Sequence, residues 1–128
     1  MQLPWAMAQR LRYHCPGSTV EATTRTIEGL YLLRPSRKFN AVLIGILARA
    51  RAMYGVQIHA VTVMSNHVHL ILTIPNSHAL RLFMTYVNGN LAREVCVLHD
   101  WGGHVWSRRY QSIEILDDAA MVGRMSYL

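Results

Sequence analysis

Lysine is almost missing from this 128-residue chain: twelve of its thirteen basic residues are arginine, and Lys38 is the exception. Acids are scarce too, seven in all, so the formal charge is +6 and the isoelectric point near 9.9. Arginine favours planar, bidentate phosphate contact and stacking on bases. Nucleic acid is therefore the first partner suggested, with a merely basic globular protein as the plainer alternative. Two cysteines, Cys15 and Cys96, stand far apart without a Cys-x-x-Cys spacing. They form neither a zinc site nor a disulfide framework, and a reducing cytoplasm fits. No apolar run approaches the roughly 20 residues of a membrane span. Met1 to Tyr13 also lacks the hydrophobic segment of a signal peptide. What remains is 52% hydrophobic with a mean hydropathy of +0.14, enough for the core of one domain over 1–128.

Residues 1–20, with Arg10, Arg12, Tyr13, His14 and Pro16-Gly17, read as a basic N-terminal arm ending in a turn. It either grips phosphates or is a surface tail. Thr19 to Leu33 is rich in Thr, Val, Ile and Tyr and predicts extended structure bent near Gly29. Ser36 or Asn40 caps a helix over about 38–54, where Val42, Leu43, Ile46, Leu47, Ala50 and Met53 fall on one stripe. Gly55 is its natural stop. Val56 to Met64 predicts a strand, Ser65-Asn66 a tight link, and His67 to Ile74 a second strand closed by Pro75. Ser77 caps a long helix to about Leu98, with Asn88-Gly89-Asn90 interrupting its middle for the close approach of backbone or DNA. Val105 to Leu116 predicts a last strand, and Asp117 caps a helix from Asp118 to Leu128. The order β-α-β-β-α-β-α predicts an α+β, ferredoxin-like antiparallel sheet with helices on one face.

Within that order, Met64-Ser65-Asn66-His67-Val68-His69-Leu70-Ile71-Leu72 carries the chemistry. Residues two apart on a strand point to one face, so His67 and His69 project together while Val68, Leu70 and Leu72 project oppositely. Two imidazoles roughly 7 Å apart at Cα can converge on one cation. Metallo-hydrolases use the same pair but follow it with an acid and a further histidine, where this chain has Leu70-Ile71-Leu72. Two histidines on a solvent face are the other reading.

The stretch Ser65-Asn66-His67-Val68-His69-Leu70 resembles the His-hydrophobic-His signature of the HUH single-strand endonucleases, and more narrowly their single-tyrosine transposases, including the REP-associated branch. The resemblance continues through Asn88-Gly89-Asn90-Leu91-Ala92-Arg93 on the long helix and Trp106-Ser107-Arg108-Arg109-Tyr110. It ends at Tyr127-Leu128, where the family carries its nucleophile, and covers roughly residues 25–128. It implies that His67 and His69 hold Mg²⁺ or Mn²⁺ and that Tyr127 attacks a DNA phosphate to form a 5′-phosphotyrosine link. The substrate would be single-stranded DNA, at hairpin-bearing repeat ends. A non-cleaving, regulatory hairpin-binding relative is the alternative.

The family commonly places a third metal ligand one helical turn beyond the tyrosine, past Leu128, so a longer chain is expected to be more active. His59, Glu28 and Glu114 are substitutes within this sequence. DNA contacts are expected from Arg108, Arg109, Arg93, Arg34, Arg37, Lys38, Arg10 and Arg12, with Trp106 and Tyr110 interleaved as stacking aromatics. In this superfamily the tyrosine helix serves its own subunit or a neighbour's, which leaves a homodimer open.

Overall fold

The elements occur in the predicted order in a computed structural model that describes residues 13–127. Strand β1 is Thr19–Arg25, helix α1 is Arg37–Tyr54, β2 is Gln57–Met64 and β3 is His67–Thr73. Helix α2 is Ser77–His99, β4 is Gln111–Ile115 and helix α3 is Asp118–Tyr127. The strands form one antiparallel sheet in the order β2-β3-β1-β4, the arrangement of a ferredoxin-like α+β fold. β1 and β3 are its interior strands, so the histidine strand is paired on both sides.

Alternation in β1 and β3 decides what lies on each face. Val20, Ala22, Val68, Leu70 and Leu72 turn inward, each 3% exposed or less, and meet the buried stripes of α1 and α2. Phe39, Leu43, Ile46 and Leu47 come from α1; Leu80, Phe83, Met84, Val87, Leu91 and Val95 come from α2. Each such side chain removed from water contributes about 1.5–3 kcal/mol. The caps of α1 are those expected: Ser36 Oγ accepts from Phe39 N at 3.0 Å, and Gly55 ends the helix at φ 67°. Only glycine adopts that left-handed geometry without cost.

Five local expectations are corrected. The extended segment from Thr19 stops at Arg25; Ile27–Gly29 is a 3-10 turn, with Thr26 turning its hydroxyl to Leu30 O at 2.6 Å. Asn76, rather than Ser77, caps α2 by accepting from Ala79 N at 2.8 Å, because Ser77 Oγ is engaged with the His14 backbone. Helix α2 runs unbroken through Gly89, where an added Cβ would meet no neighbour within 4 Å, so no part of the described chain requires the glycine there. The last strand is shorter than Val105 to Leu116, because 105–110 leaves regular pairing. Finally, the helices do not all share one face: α3 lies on the histidine face, tied to Glu21 of β1.

The end of the arm is docked rather than loose. His14 is buried, its Nε2 2.8 Å from Ser112 Oγ and its Nδ1 3.5 Å from Glu114 Oε1. Arg10 and Arg12 lie outside the described residues.

Candidate active site

His67 and His69 stand half-buried on the face of β3 away from α1 and α2, their ring centroids 4.7 Å apart and nearly perpendicular at 89°. The hairpin fixes the first ring, since Asn66 Oδ1 lies 2.7 Å from His67 Nδ1. Asn66 is itself held where its carbonyl accepts from Thr26 N at 2.9 Å. The neighbouring strand fixes the second ring: register sets Thr23 opposite His69, with Thr23 Oγ1 3.1 Å from His69 Nδ1. Glu21, one residue further along that face, puts Oε2 3.5 Å from the same nitrogen.

These partners have a chemical consequence. A carboxylate and an amide oxygen only accept, so a proton on Nδ1 satisfies Asn66 beside His67 and Glu21 beside His69, and that tautomer leaves the Nε2 lone pair for a metal. Metal-binding imidazoles characteristically have such partners on the other nitrogen. Both pKa values lie below the ordinary histidine value. For His67 the causes are burial first, then the His69 and Arg25 charges. For His69 burial dominates; Glu21 opposes it, and Arg25 and Arg124 add to the lowering. Neutral imidazoles are what a metal needs, so the pair fits a divalent ion with part of its coordination supplied by water or substrate oxygen. Among the described residues no third His, Cys, Asp or Glu joins them as a ligand group. Glu114 stands opposite Val20, whose side chain faces the helices, and is near His14 instead. His59 bonds Thr73 Oγ1 at 2.7 Å, and Glu28 lies exposed in the 3-10 turn.

Tyr127 is the last residue of α3, which the Arg124–Glu21 ion pair holds on the histidine face. The Tyr127 side chain lies outside the described residues. Glu21, Arg124 and Arg25 carry this part of the site, and none was singled out in the sequence. The one signal for Glu21 is a lone acid in a Thr- and Val-rich strand, two positions from Thr23.

The arginine pair Arg108-Arg109 owes its placement to a bulge. Gln111 pairs with Thr23, but the next pairing is Trp106 with Thr26, which leaves two more residues on this strand than on β1. Such a bulge expels side chains from the ladder and re-aims them. Both arginines are exposed, and both line two spaces: a groove of about 610 Å³ beside α2 and a small cleft shared with Thr23 and Arg25 of the histidine face. Trp106 is half-buried with Nε1 donating to Asn88 O at 2.9 Å, and it lines the larger groove. Tyr110 lines that groove too but is only 8% exposed and belongs to the core, which leaves little ring face for stacking. Tyr86, another aromatic of α2, packs edge-on against Tyr54 at 6.2 Å and accepts from Arg49. Arg34, Arg37 and Lys38 are exposed together at the start of α1, where they add to the positive end of the helix dipole. Arg93 is exposed on α2, 3.0 Å from Asn90 Oδ1.

Comparison with known proteins decides the family, because the profile of the family described as "Transposase IS200 like" matches residues 36–124. The chain belongs to that family. The match takes in both histidines, the long helix, the arginine bulge and most of α3. Among solved structures, a Deinococcus radiodurans R1 protein assigned as a transposase is similar at 20% identity and a TM-score of 0.62. That similarity covers 89% of this chain and 90% of the other. A REP-associated tyrosine transposase, solved bound to a REP hairpin, is similar at 17% identity and a TM-score of 0.64. It is matched over 90% of this chain and 66% of its own length. No curated protein matches the sequence. The transposase is therefore a DNA-processing enzyme on the α+β frame of its family. No helix among the described residues is long and apolar enough to cross a membrane.

Proposed function

We propose that this transposase cleaves and rejoins single-stranded DNA through a 5′-phosphotyrosine link at Tyr127, at hairpin-bearing repeat ends. The observation that supports it most is the setting of the two histidines: each Nδ1 has a polar partner, Asn66 Oδ1 for His67 and Thr23 Oγ1 and Glu21 for His69, and both rings lie on the sheet face where α3 docks. Mg²⁺ or Mn²⁺ held by His67 and His69 would polarise the scissile phosphate and stabilise charge on the departing oxygen. The chain's own groups do the rest. The Tyr127 oxygen attacks phosphorus, the bond to the 3′ oxygen breaks, and that oxygen leaves as a 3′-hydroxyl as the phenolic proton is lost. The link keeps the phosphodiester's energy, so another 3′-hydroxyl can reverse the step and join strands. Arg108 and Arg109, shared by the α2 groove and the histidine-face cleft, would carry the DNA backbone between them. Arg34, Arg37, Lys38 and Arg93 would supply further phosphate contacts. A hairpin partner is in keeping with the REP hairpin bound by the structural relative.

A labelled single-stranded hairpin incubated with Mn²⁺ is expected to give a denaturation-resistant protein–DNA adduct, lost in Tyr127→Phe and in His67→Ala/His69→Ala. A second reading, a hairpin-binding regulator that does not cleave, is favoured by the thin attachment of α3, whose described side chains are all exposed or half-buried. Tight hairpin binding with no adduct, even in a chain carried past Leu128, would establish that reading instead.

A further inference from the structure

One carboxylate joins the two halves of the site. Glu21 is 3% exposed at the middle of β1. Its Oε2 lies 3.5 Å from His69 Nδ1, and its Oε1 accepts from Arg124 Nε at 2.9 Å and also from Arg124 Nη2. Arg124 sits on α3 three residues before Tyr127. Of the other described side chains of α3, Ala119, Ala120, Val122, Gly123, Met125 and Ser126 are exposed and Met121 is half-buried. A buried carboxylate, by contrast, must be paired. Pairing with Arg124 satisfies Glu21 and ties α3 to β1.

We propose that Glu21 is a positioning residue that couples the histidine pair to the tyrosine helix. With one oxygen it orients His69 through Nδ1, and with the other it seats α3 through Arg124. This rests on the function proposed above, and it adds that the geometry of the metal ligand and the seating of the helix depend on the same group. An ion pair of purely structural value would bear on the fold but not on metal affinity.

The test uses the full chain and its Glu21→Gln, Arg124→Gln, Arg124→Lys and His69→Ala variants, with Mn²⁺ alone titrated by electron paramagnetic resonance and amide exchange followed across α3 and β1. Glu21→Gln is expected to weaken Mn²⁺ binding by about 10–100-fold, the usual effect of losing such a partner, and to speed exchange throughout α3. Arg124→Gln is expected to speed exchange in α3 while leaving Mn²⁺ affinity in place, and Arg124→Lys to restore protection in part. Unchanged Mn²⁺ affinity in Glu21→Gln, where His69→Ala abolishes binding, overturns the coupling and leaves the metal reading standing. Unchanged affinity in His69→Ala refutes the metal reading itself. If Glu21→Gln does not fold, the Arg124 variants probe the same contact from its exposed end, and wild-type exchange in α3 of Arg124→Gln overturns the proposal.

Discussion

Two adjacent residues of β3 should fail in opposite ways. Leu70 is 1% exposed and points into the core, whereas His69 is half-buried on the opposite face. Leu70→Ala removes three carbons, about 2.4 kcal/mol of transfer free energy at about 0.8 kcal/mol per methylene. The cavity it leaves between the sheet and the two helices raises the loss to about 3–5 kcal/mol. At about 3–5 °C per kcal/mol for a domain of this size, the melting temperature should fall by roughly 10–25 °C. Below the transition, Mn²⁺ affinity should be that of the parent. His69→Ala gives up the bond to Thr23 but leaves Glu21 its pair with Arg124, so its cost should be about 1 kcal/mol. That variant should lose Mn²⁺ binding while melting close to the parent. Calorimetric melting and Mn²⁺ titration on both proteins decide the matter. Equal destabilisation by the two changes, or Mn²⁺ retained in His69→Ala, would refute the division of β3 into a stability face and a chemical face.

The pH dependence follows from two histidines whose pKa values are held below 6.5, mainly by burial. Such groups favour the fold above the ordinary histidine pKa, and that contribution is lost as pH falls below it. Mn²⁺ affinity should thus be flat above pH 6.5, then drop with a limiting slope of about two decades per pH unit as two protons compete; a drop beginning above 7 contradicts the lowered values. Arg108→Gln and Arg109→Gln should each reduce the salt slope of single-strand binding by about 0.7, measured by anisotropy at several salt concentrations, whereas an unchanged slope removes that arginine from the phosphate contacts. Gly55→Ala places a Cβ at φ 67° and should cost about 1–2 kcal/mol in denaturant unfolding without changing Mn²⁺ affinity.

The pattern of residues was enough for the element order, because period 3.6 in 38–54 and period 2 in 67–73 are local properties of the chain. It was enough also to set His67 and His69 on one face, since alternation along a strand needs no partner. The path of 105–110 was not legible. Its β-rich composition suits a strand, but Trp106 pairs with Thr26 out of register, and the extra residues bulge. Nor was the capping of α2, where Ser77 is drawn away by a His14 that is 63 residues distant.

Sequence alone put two imidazoles on one face of a strand, arginine in excess and a tyrosine on the last helix. Tertiary structure decided what holds them. Glu21 lies 48 residues before His69 and 103 before Arg124, and nothing local relates the three. They meet because β1 pairs beside β3 and α3 crosses the outer face, and the cost of burying an unpaired carboxylate then ties helix to strand.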